Sequence, residues 1–463
     1  MTLGFGGGEP AAAQSAPPVP PPAPAASPTA PPAAPPTSAP VTLQALLDRY
    51  VAANPGAALI VGVVNGDKVS IYRAGTIPSG LNERTEYQIG SVTKTFTATL
   101  LALMVADGSV GLDDPIAKYL PPGVTAPSYH SRKIRLIDLA EQNSGLPAIP
   151  DNLAMTDILN PYAGYTPEKL HAFLTGYHLT RSPGTQYQYS NVGVGLLGDL
   201  LAYQAKTSYD TLLRQRILEP LGLHETTLTP TAAQRARLAP GFGVENDPQP
   251  PWDFPELAAA GGLYSDLHDM LIWLRANMAA PRGVLGPEMA SAHTPRFPTD
   301  FDGTQRIGLI WMHSELAGFT WHNGQTGGYH AFIGFDRAQQ IGVVMLANVA
   351  DIGLDKIGVH VLVPSVPVPI ARVSINVASD ALDRLTGTYQ MGPGITMTIA
   401  RYGRGLSTQV SGQPPFPIYA TSPTEFFLKA FDAQLTFDVD AQGKATRVTL
   451  HQNGRNLPAA RVK

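Results

Sequence analysis

Three stretches of this 463-residue chain hold residues whose types and spacing could do covalent chemistry. In YQIGSVTKTFTATLLALMVADG, Ser91 opens an apolar helical pattern and Lys94 follows three residues later, so both side chains project from one face of the first turn. A hydroxyl becomes a nucleophile at neutral pH when a nearby base takes its proton. An amine held among apolar groups has a lowered pKa that suits it to that task. The helix N-terminus adds a positive potential beside Ser91. Taken alone, S-x-x-K reads equally well as an N-cap serine followed by a solvated lysine.

The second stretch, RSPGTQYQYSNVGVGLLGDLLA, places Tyr189, Ser190 and Asn191 in a loop before another apolar helix. A phenol can relay a proton when cations depress its pKa, and an amide two residues on can orient both a lysine and a substrate carbonyl. By itself, Tyr-x-Asn is more often a helix cap beside a packed ring. In the third stretch, TWHNGQTGGYHAFIGFD, His322, Asn323 and Gly324 lie on or next to a strand that ends in a glycine-rich bend. Gly324 would allow close backbone approach, and a backbone N–H just after it, that of Gln325, could form half of an oxyanion hole. A lone histidine on a strand is usually structural.

The elements that must position these residues follow from hydrophobic periodicity. TLQALLDRYVAAN has helical spacing, and AALIVGVVNGDKVSIYRAG reads as two strands around an Asn65-Gly66 turn. Helices are expected over 91–106, 134–141, 192–203, 208–218 and 267–278, and strands at IGLIWM, HAFIGFD and IGVVMLAN. A helix, a hairpin, a helical middle and returning strands predict an α+β domain with an antiparallel sheet over 41–360. Pro364, Pro367 and Pro369 mark a linker over 361–375. The alternating segments after it predict a small all-β barrel over 376–463. Thirteen prolines between Pro10 and Pro40, interleaved with Ala, Ser and Thr, predict a disordered leader over 1–40.

Composition excludes several classes of function. Net charge is −4 with both signs dispersed, so no basic field recruits nucleic acid. Cysteine is absent, which removes disulfides, thiolate metal sites and thiol nucleophiles. No apolar run of eighteen residues offers a transmembrane segment. Neither G-x-S-x-G nor H-E-x-x-H occurs, so an α/β-hydrolase or a zinc protease is not supported, and His224-Glu225 reads as solvated polarity. No metal or other cofactor is expected. The Ala-rich end of MTLGFGGGEPAAAQSA is similar to the end of a cleaved export signal, which makes a periplasmic or secreted setting the expectation. Oligomeric state is not encoded in any feature of the chain.

Together, and in this order, the three stretches resemble the motifs of the serine β-lactamase and penicillin-binding protein superfamily, in particular the branch with class C β-lactamases, DD-carboxypeptidases, D-aminopeptidases and family VIII esterases. LIDLAEQNSGLP, ILEPLGLHETTLTP and AAAGGLYSDLHDMLIWL look like framework segments of that branch, and the C-terminal module resembles a lipocalin-like domain. The resemblance implies an acylated Ser91, Lys94 as its partner, Tyr189 as general base or acid, and Asn191 as a ligand for lysine and substrate. It places His322, Asn323, Gly324 and Gln325 along the substrate, with the N–H groups of Ser91 and Gln325 forming the oxyanion hole. The implied partner is a small-molecule or peptide-like amide or ester substrate. The alternatives are a carboxylesterase of the family VIII type and a catalytically weak binder of penicillin or cell-wall fragments. In class C β-lactamases the third motif opens with lysine, and here it opens with His322, which is only partly protonated at neutral pH. That departure favours peptide-like amides or esters over β-lactams.

Overall fold

In the computed structural model, Thr42 caps the helix Leu43–Ala53 by accepting a hydrogen bond from Ala45 N, as the TLQALLDRYVAAN spacing predicts. The described residues are 42–463 other than 155, 301, 369–371, 373, 393, 412–414, 430–432 and 453–454, so the expected leader lies outside them. The strands Leu59–Asn65 and Lys68–Ala74 pair in antiparallel register, Asn65 opposite Lys68, around a turn in which Gly66 has φ +57°.

Among the described residues, eight strands form one antiparallel sheet in the order Lys68–Ala74, Leu59–Asn65, Ile341–Ala347, His330–Asp336, Phe319–Gln325, Met312–Ser314, Gln305–Ile307 and Phe297–Pro298. The central strand His330–Asp336 is buried along its whole length. Its unbroken apolar run follows from being covered on both faces, whereas a strand with one face in water would alternate. On one face the helices Leu43–Ala53 and Asp355–Leu362 pack Leu47, Tyr50, Ile357 and Leu362 against Val61, Phe332 and Met345. On the other face lies the main core, to which Ile60, Ile333, Phe335 and Leu346 contribute from the sheet.

The helix Thr93–Ala106 runs through that main core and is buried over most of its length, with Thr93, Lys94, Thr95, Thr97 and Thr99 enclosed among its apolar residues. Phe96 stacks on Trp273 of the helix Leu267–Ala279 with ring centroids 4.0 Å apart, and Trp273 Nε1 donates to Thr95 Oγ1 at 3.1 Å. The two helices are thereby locked together just behind Ser91.

Several elements differ from the sequence-based expectation. IGLIWM is not a strand: Gly308 to Trp311 form a tight turn between Gln305–Ile307 and Met312–Ser314, with Gly308 N donating to Trp311 O and Ile310 at φ +69°. The turn is apolar because it is driven into the core, where Ile310 and Trp311 are fully buried. The 134–141 helix shortens to Leu136–Ala140, and the 208–218 pattern divides into Tyr209–Leu213 and a π-helical turn Arg214–Leu218. The helix Asp355–Leu362 runs into the proline-containing segment, and a helix at Ser379–Leu385, which no periodicity singled out, precedes the C-terminal module.

That module is a closed barrel of eight strands among the described residues, from Gly387–Gly392 to Arg455–Arg461. Its interior is filled by Tyr389, Met397, Ile399, Phe426, Leu435, Phe437 and Val448. Lys429, between two barrel strands, lies 4.4 Å from the Tyr419 ring centroid and donates to Val244 O at 2.8 Å. The barrel therefore touches the 243–247 turn of the α+β domain. No helix among the described residues is long and apolar enough to cross a membrane.

The stacked Trp273 fixes the position of the serine-bearing helix, so Trp273→Ala is expected to lower the stability of the α+β domain by about 3–5 kcal/mol. Denaturant unfolding followed by far-UV circular dichroism measures the loss, and Trp273→Phe, which keeps the stack on Phe96, should lose distinctly less.

Candidate active site

Ser91 sits in the 3-10 turn Gly90–Val92 that leads into the helix Thr93–Ala106. The turn exists because Gly90 adopts φ +50°, a conformation that residues with a Cβ rarely take. Lys94 lies one turn on, fully buried. Its Nζ is 2.8 Å from Ser91 Oγ, 2.8 Å from Asn191 Oδ1 and 2.5 Å from the carbonyl oxygen of Ala260. Tyr189 OH donates to Ser91 Oγ at 2.6 Å, and Lys94 Nζ lies 4.9 Å from the Tyr189 ring centroid. A hydroxyl, an amine and a phenol that are 98 residues apart at the extremes are thus brought into one hydrogen-bonded cluster.

The loop carrying Tyr189 is set from outside. Ser190 caps the helix Asn191–Ala205 by accepting from Gly193 N at 2.9 Å, and its own hydroxyl donates to Pro147 O at 2.6 Å. Gln142 Oε1 accepts from Ser190 N at 2.6 Å, Gln142 O accepts from Gln188 N at 2.7 Å, and Ala148 O accepts from Asn191 N at 2.8 Å. The EQNSGLP stretch, which the sequence marks only as a framework segment, is the clamp that holds Tyr189 and Asn191. Asn191 Nδ2 donates to Tyr162 OH at 3.2 Å, which leaves Oδ1 facing the lysine.

The third stretch forms the strand Phe319–Gln325. A Cβ at Gly324 would lie 2.7 Å from Ser91 N and 2.8 Å from Val92 N, and one at Gly90 would lie 2.6 Å from Gln325 N. Two glycines therefore let strand and turn approach backbone to backbone, which brings the N–H groups of Ser91 and Gln325 to one junction. Strand alternation puts His322 and Gly324 on the face toward Ser91 and the Asn323 side chain on the other. Asn323 is thus a correction to the expected substrate contacts: its Nδ2 donates to Asp355 Oδ2 at 2.6 Å, behind the sheet. His330 Nε2 lies 2.7 Å from Asp355 Oδ1, so Asp355 ties the two neighbouring strands to the helix Asp355–Leu362. Gln325 keeps an exposed side chain and enters the site through its backbone.

Burial sets the charges. Desolvation pulls the Lys94 ammonium well below its ordinary range. Desolvation likewise raises the Tyr189 phenol, against a smaller opposing effect of its bond to Ser91. His322, only 3% exposed, is lowered to about 4, chiefly by burial. Its Nδ1 lies 2.6 Å from Asn323 O, which can only accept, so Nδ1 carries the proton and neutral His322 keeps a lone pair on Nε2. Burial therefore favours the uncharged imidazole over the partial protonation that the sequence allowed.

Residues beyond the sequence reading complete the site. Ala260, in the helix Ala258–Gly261, supplies a carbonyl to Lys94, and no side-chain pattern can reveal a carbonyl. Tyr162 stacks on Phe254 with centroids 5.0 Å apart and meets Trp252 edge-on at 5.7 Å, which builds an aromatic wall beside Asn191. These rings come from two loops without periodicity, so only the folded chain assembles them.

The sequence pattern of the family described as beta-lactamase matches residues 43–356, and that of a domain of unknown function matches 371–460. The D-alanyl-D-alanine-carboxypeptidase/endopeptidase AmpH of Escherichia coli K12 is 32% identical over 246 residues, covering 51% of this chain and 62% of that protein. The alignment thus spans less than two thirds of that relative. A beta-lactamase of Pseudomonas fluorescens is 27% identical over 329 residues, covering 63% of this chain and 88% of that protein. Among solved structures, a beta-lactamase/D-alanine carboxypeptidase from Yersinia pestis complexed with citrate superposes with TM-score 0.57 at 28% identity, over 66% of this chain and 92% of that one. A class C beta-lactamase in complex with cefoxitin shares the fold, with TM-score 0.58 at 23% identity over 69% of this chain and 98% of that one.

Two outcomes follow from the geometry. Gly324→Ala forces the strand away from the Ser91 turn, so kcat/KM for any substrate the enzyme turns over should fall about a hundredfold or more, with the fold retained by circular dichroism. The His322 imidazole should titrate near pH 4 in an NMR titration, with no inflection near the ordinary histidine value. Because its folded pKa lies below the unfolded one, the unfolded chain binds the extra proton between those values. The contribution of His322 to stability therefore falls as pH drops from about 6.5 toward 4, and is constant above that window.

Proposed function

The chain belongs to the β-lactamase family of serine hydrolases, and from that premise we propose that it cleaves peptide-like amide or ester bonds through an acyl-enzyme on Ser91. One observation carries the reading: Ser91 Oγ is held at once by Lys94 Nζ at 2.8 Å and by Tyr189 OH at 2.6 Å.

Counting protons assigns the roles. A neutral amine has two N–H donors and one lone pair. Asn191 Oδ1 and Ala260 O only accept, so they take the two N–H bonds and leave the lone pair toward Ser91. Ser91 then donates its hydroxyl proton to Lys94 and accepts from Tyr189, and every hydrogen at the centre has a place. Burial supports this resting state on both sides, since it favours the neutral amine and the un-ionised phenol.

In acylation, Ser91 Oγ attacks the substrate carbonyl carbon while its proton passes to Lys94, which becomes an ammonium. The developing oxyanion lies between the N–H groups of Ser91 and Gln325. The C–N or C–O bond then breaks, Tyr189 gives its proton to the leaving group, and Lys94 returns a proton to Tyr189. Water reverses the sequence: its proton goes to the same centre, its oxygen attacks the acyl carbon, and Ser91 leaves with its proton restored. Asn191 orients Lys94 throughout, and the aromatic wall of Tyr162, Trp252 and Phe254 offers an apolar surface to the acyl group.

Uncharged His322 gives a substrate carboxylate no fixed countercharge, so esters and amides without a carboxylate next to the scissile bond are favoured over β-lactams. The names of the relatives, a carboxypeptidase/endopeptidase and a beta-lactamase, keep wall-type peptides within the candidate range, and a periplasmic or secreted setting goes with that chemistry.

A short-chain nitrophenyl ester, a D-alanyl-D-alanine peptide and nitrocefin should be compared side by side. The ester should turn over with a higher kcat/KM than nitrocefin, and a nitrocefin rate above the ester rate would refute the charge argument. A fluorophosphonate should label wild type and fail to label Ser91→Ala. Tyr189→Phe should keep labelling but lose about 10²–10⁴ in kcat, since it removes only the proton relay.

A further inference from the structure

Behind the proton-transfer centre lies a cavity of about 490 Å³ that none of the steps above uses. Its volume is in the range of sites that enclose small organic molecules. It is bounded by the helices Pro167–Gly176, Asn191–Ala205 and Tyr209–Leu213 and by the 255–259 segment. Tyr119, Leu120, Leu200, Tyr203 and Tyr209 line it, and Tyr203, 49% exposed, stands at its rim.

Two acids, Asp199 and Glu256, also line this cavity and interact with each other. Desolvation is the largest influence on each and raises both, Glu256 to about 9. The further groups acting on the pair are Glu168, which raises Glu256, and His171, which lowers Asp199. Among the described residues no lysine or arginine stands out as acting on either acid, although buried acids ordinarily sit beside a cation. Glu256 is 9% exposed and shares a side-chain hydrogen bond with Asp199, and its Oε1 is buried without a further hydrogen-bond partner. A buried acceptor left unmatched in a native fold calls for a missing donor. The apolar and tyrosine walls favour an organic cation over a bare hydrated metal ion, since tyrosine faces attract organic cations.

We propose that this cavity is a second binding site, separate from the Ser91 cleft, for an organic ammonium with an apolar or aromatic body, its nitrogen seated at Asp199 and Glu256. The site has a direct mechanical link to the reaction centre. Its 258–259 wall continues into Ala260, whose carbonyl holds Lys94 Nζ, and Thr97 Oγ1, three residues beyond Lys94, donates to Ala259 O at 2.8 Å and lies 2.7 Å from Tyr209 OH. An occupant therefore bears on the carbonyls that orient the lysine.

The test is calorimetric binding to the full-length protein, with phenethylammonium as probe and phenethyl alcohol as its neutral counterpart. The ammonium should bind at least about tenfold more tightly than the alcohol. It should bind equally well after Ser91 has been capped with a fluorophosphonate, which separates this site from the cleft whether or not the proposed hydrolytic reading holds. Asp199→Asn with Glu256→Gln should abolish the preference, and Glu256→Gln alone, the milder variant should the pair fail to fold, should weaken the ammonium about tenfold with the melting temperature unchanged or raised. Equal binding of ammonium and alcohol, an undiminished preference in a folded Glu256→Gln protein, loss of binding on capping Ser91, or calcium bound in preference to the ammonium would each overturn the proposal.

Discussion

A single buried amine organises this protein. Lys94 has no water to solvate it, so its Nζ must find partners within the fold, and it finds them on three different elements: Ser91 on its own helix, Asn191 at the start of another, and the Ala260 carbonyl on a third. An unpaired buried amine would be costly, which makes correct assembly of all three elements a condition of folding. The same desolvation that demands these partners lowers the pKa of the amine and so favours its uncharged form. Structural need and chemical readiness therefore have one cause.

A second constraint is the absence of side chains at the strand-to-turn junction. Gly90 and Gly324 face one another where any Cβ would collide with backbone, so the sheet can place peptide N–H groups beside the serine without an intervening side chain. Asp355 secures the arrangement from the rear through Asn323 and His330, and it keeps the strand carrying His322 in register with its neighbour. The face toward Ser91 can then carry a neutral imidazole without loss of position.

The C-terminal barrel is internally packed and meets the α+β domain at the 243–247 turn through Lys429. The 241–249 hairpin packs in turn against Gly328, three residues beyond Gln325, so the barrel reaches the site strand through a short relay of backbone contacts. The barrel's link to the site is thus through the loop that follows the strand Phe319–Gln325.

The sequence by itself determined the order and chemistry of the reactive groups. Ser91 and Lys94 stand three residues apart at the start of a helical pattern, and the segments at 330–336 and 341–347 read as strands, as the fold has them. Their local spacing fixes both facts. Only the tertiary structure decided which side of the strand Asn323 would face, that IGLIWM would bend into the core, that a backbone carbonyl would complete the lysine's set of partners, and that His322 would be stripped of charge. Each of these depends on desolvation or on contact between segments far apart in the chain. Neither quantity is written in local periodicity, because both exist only once the surrounding residues have closed over the group concerned.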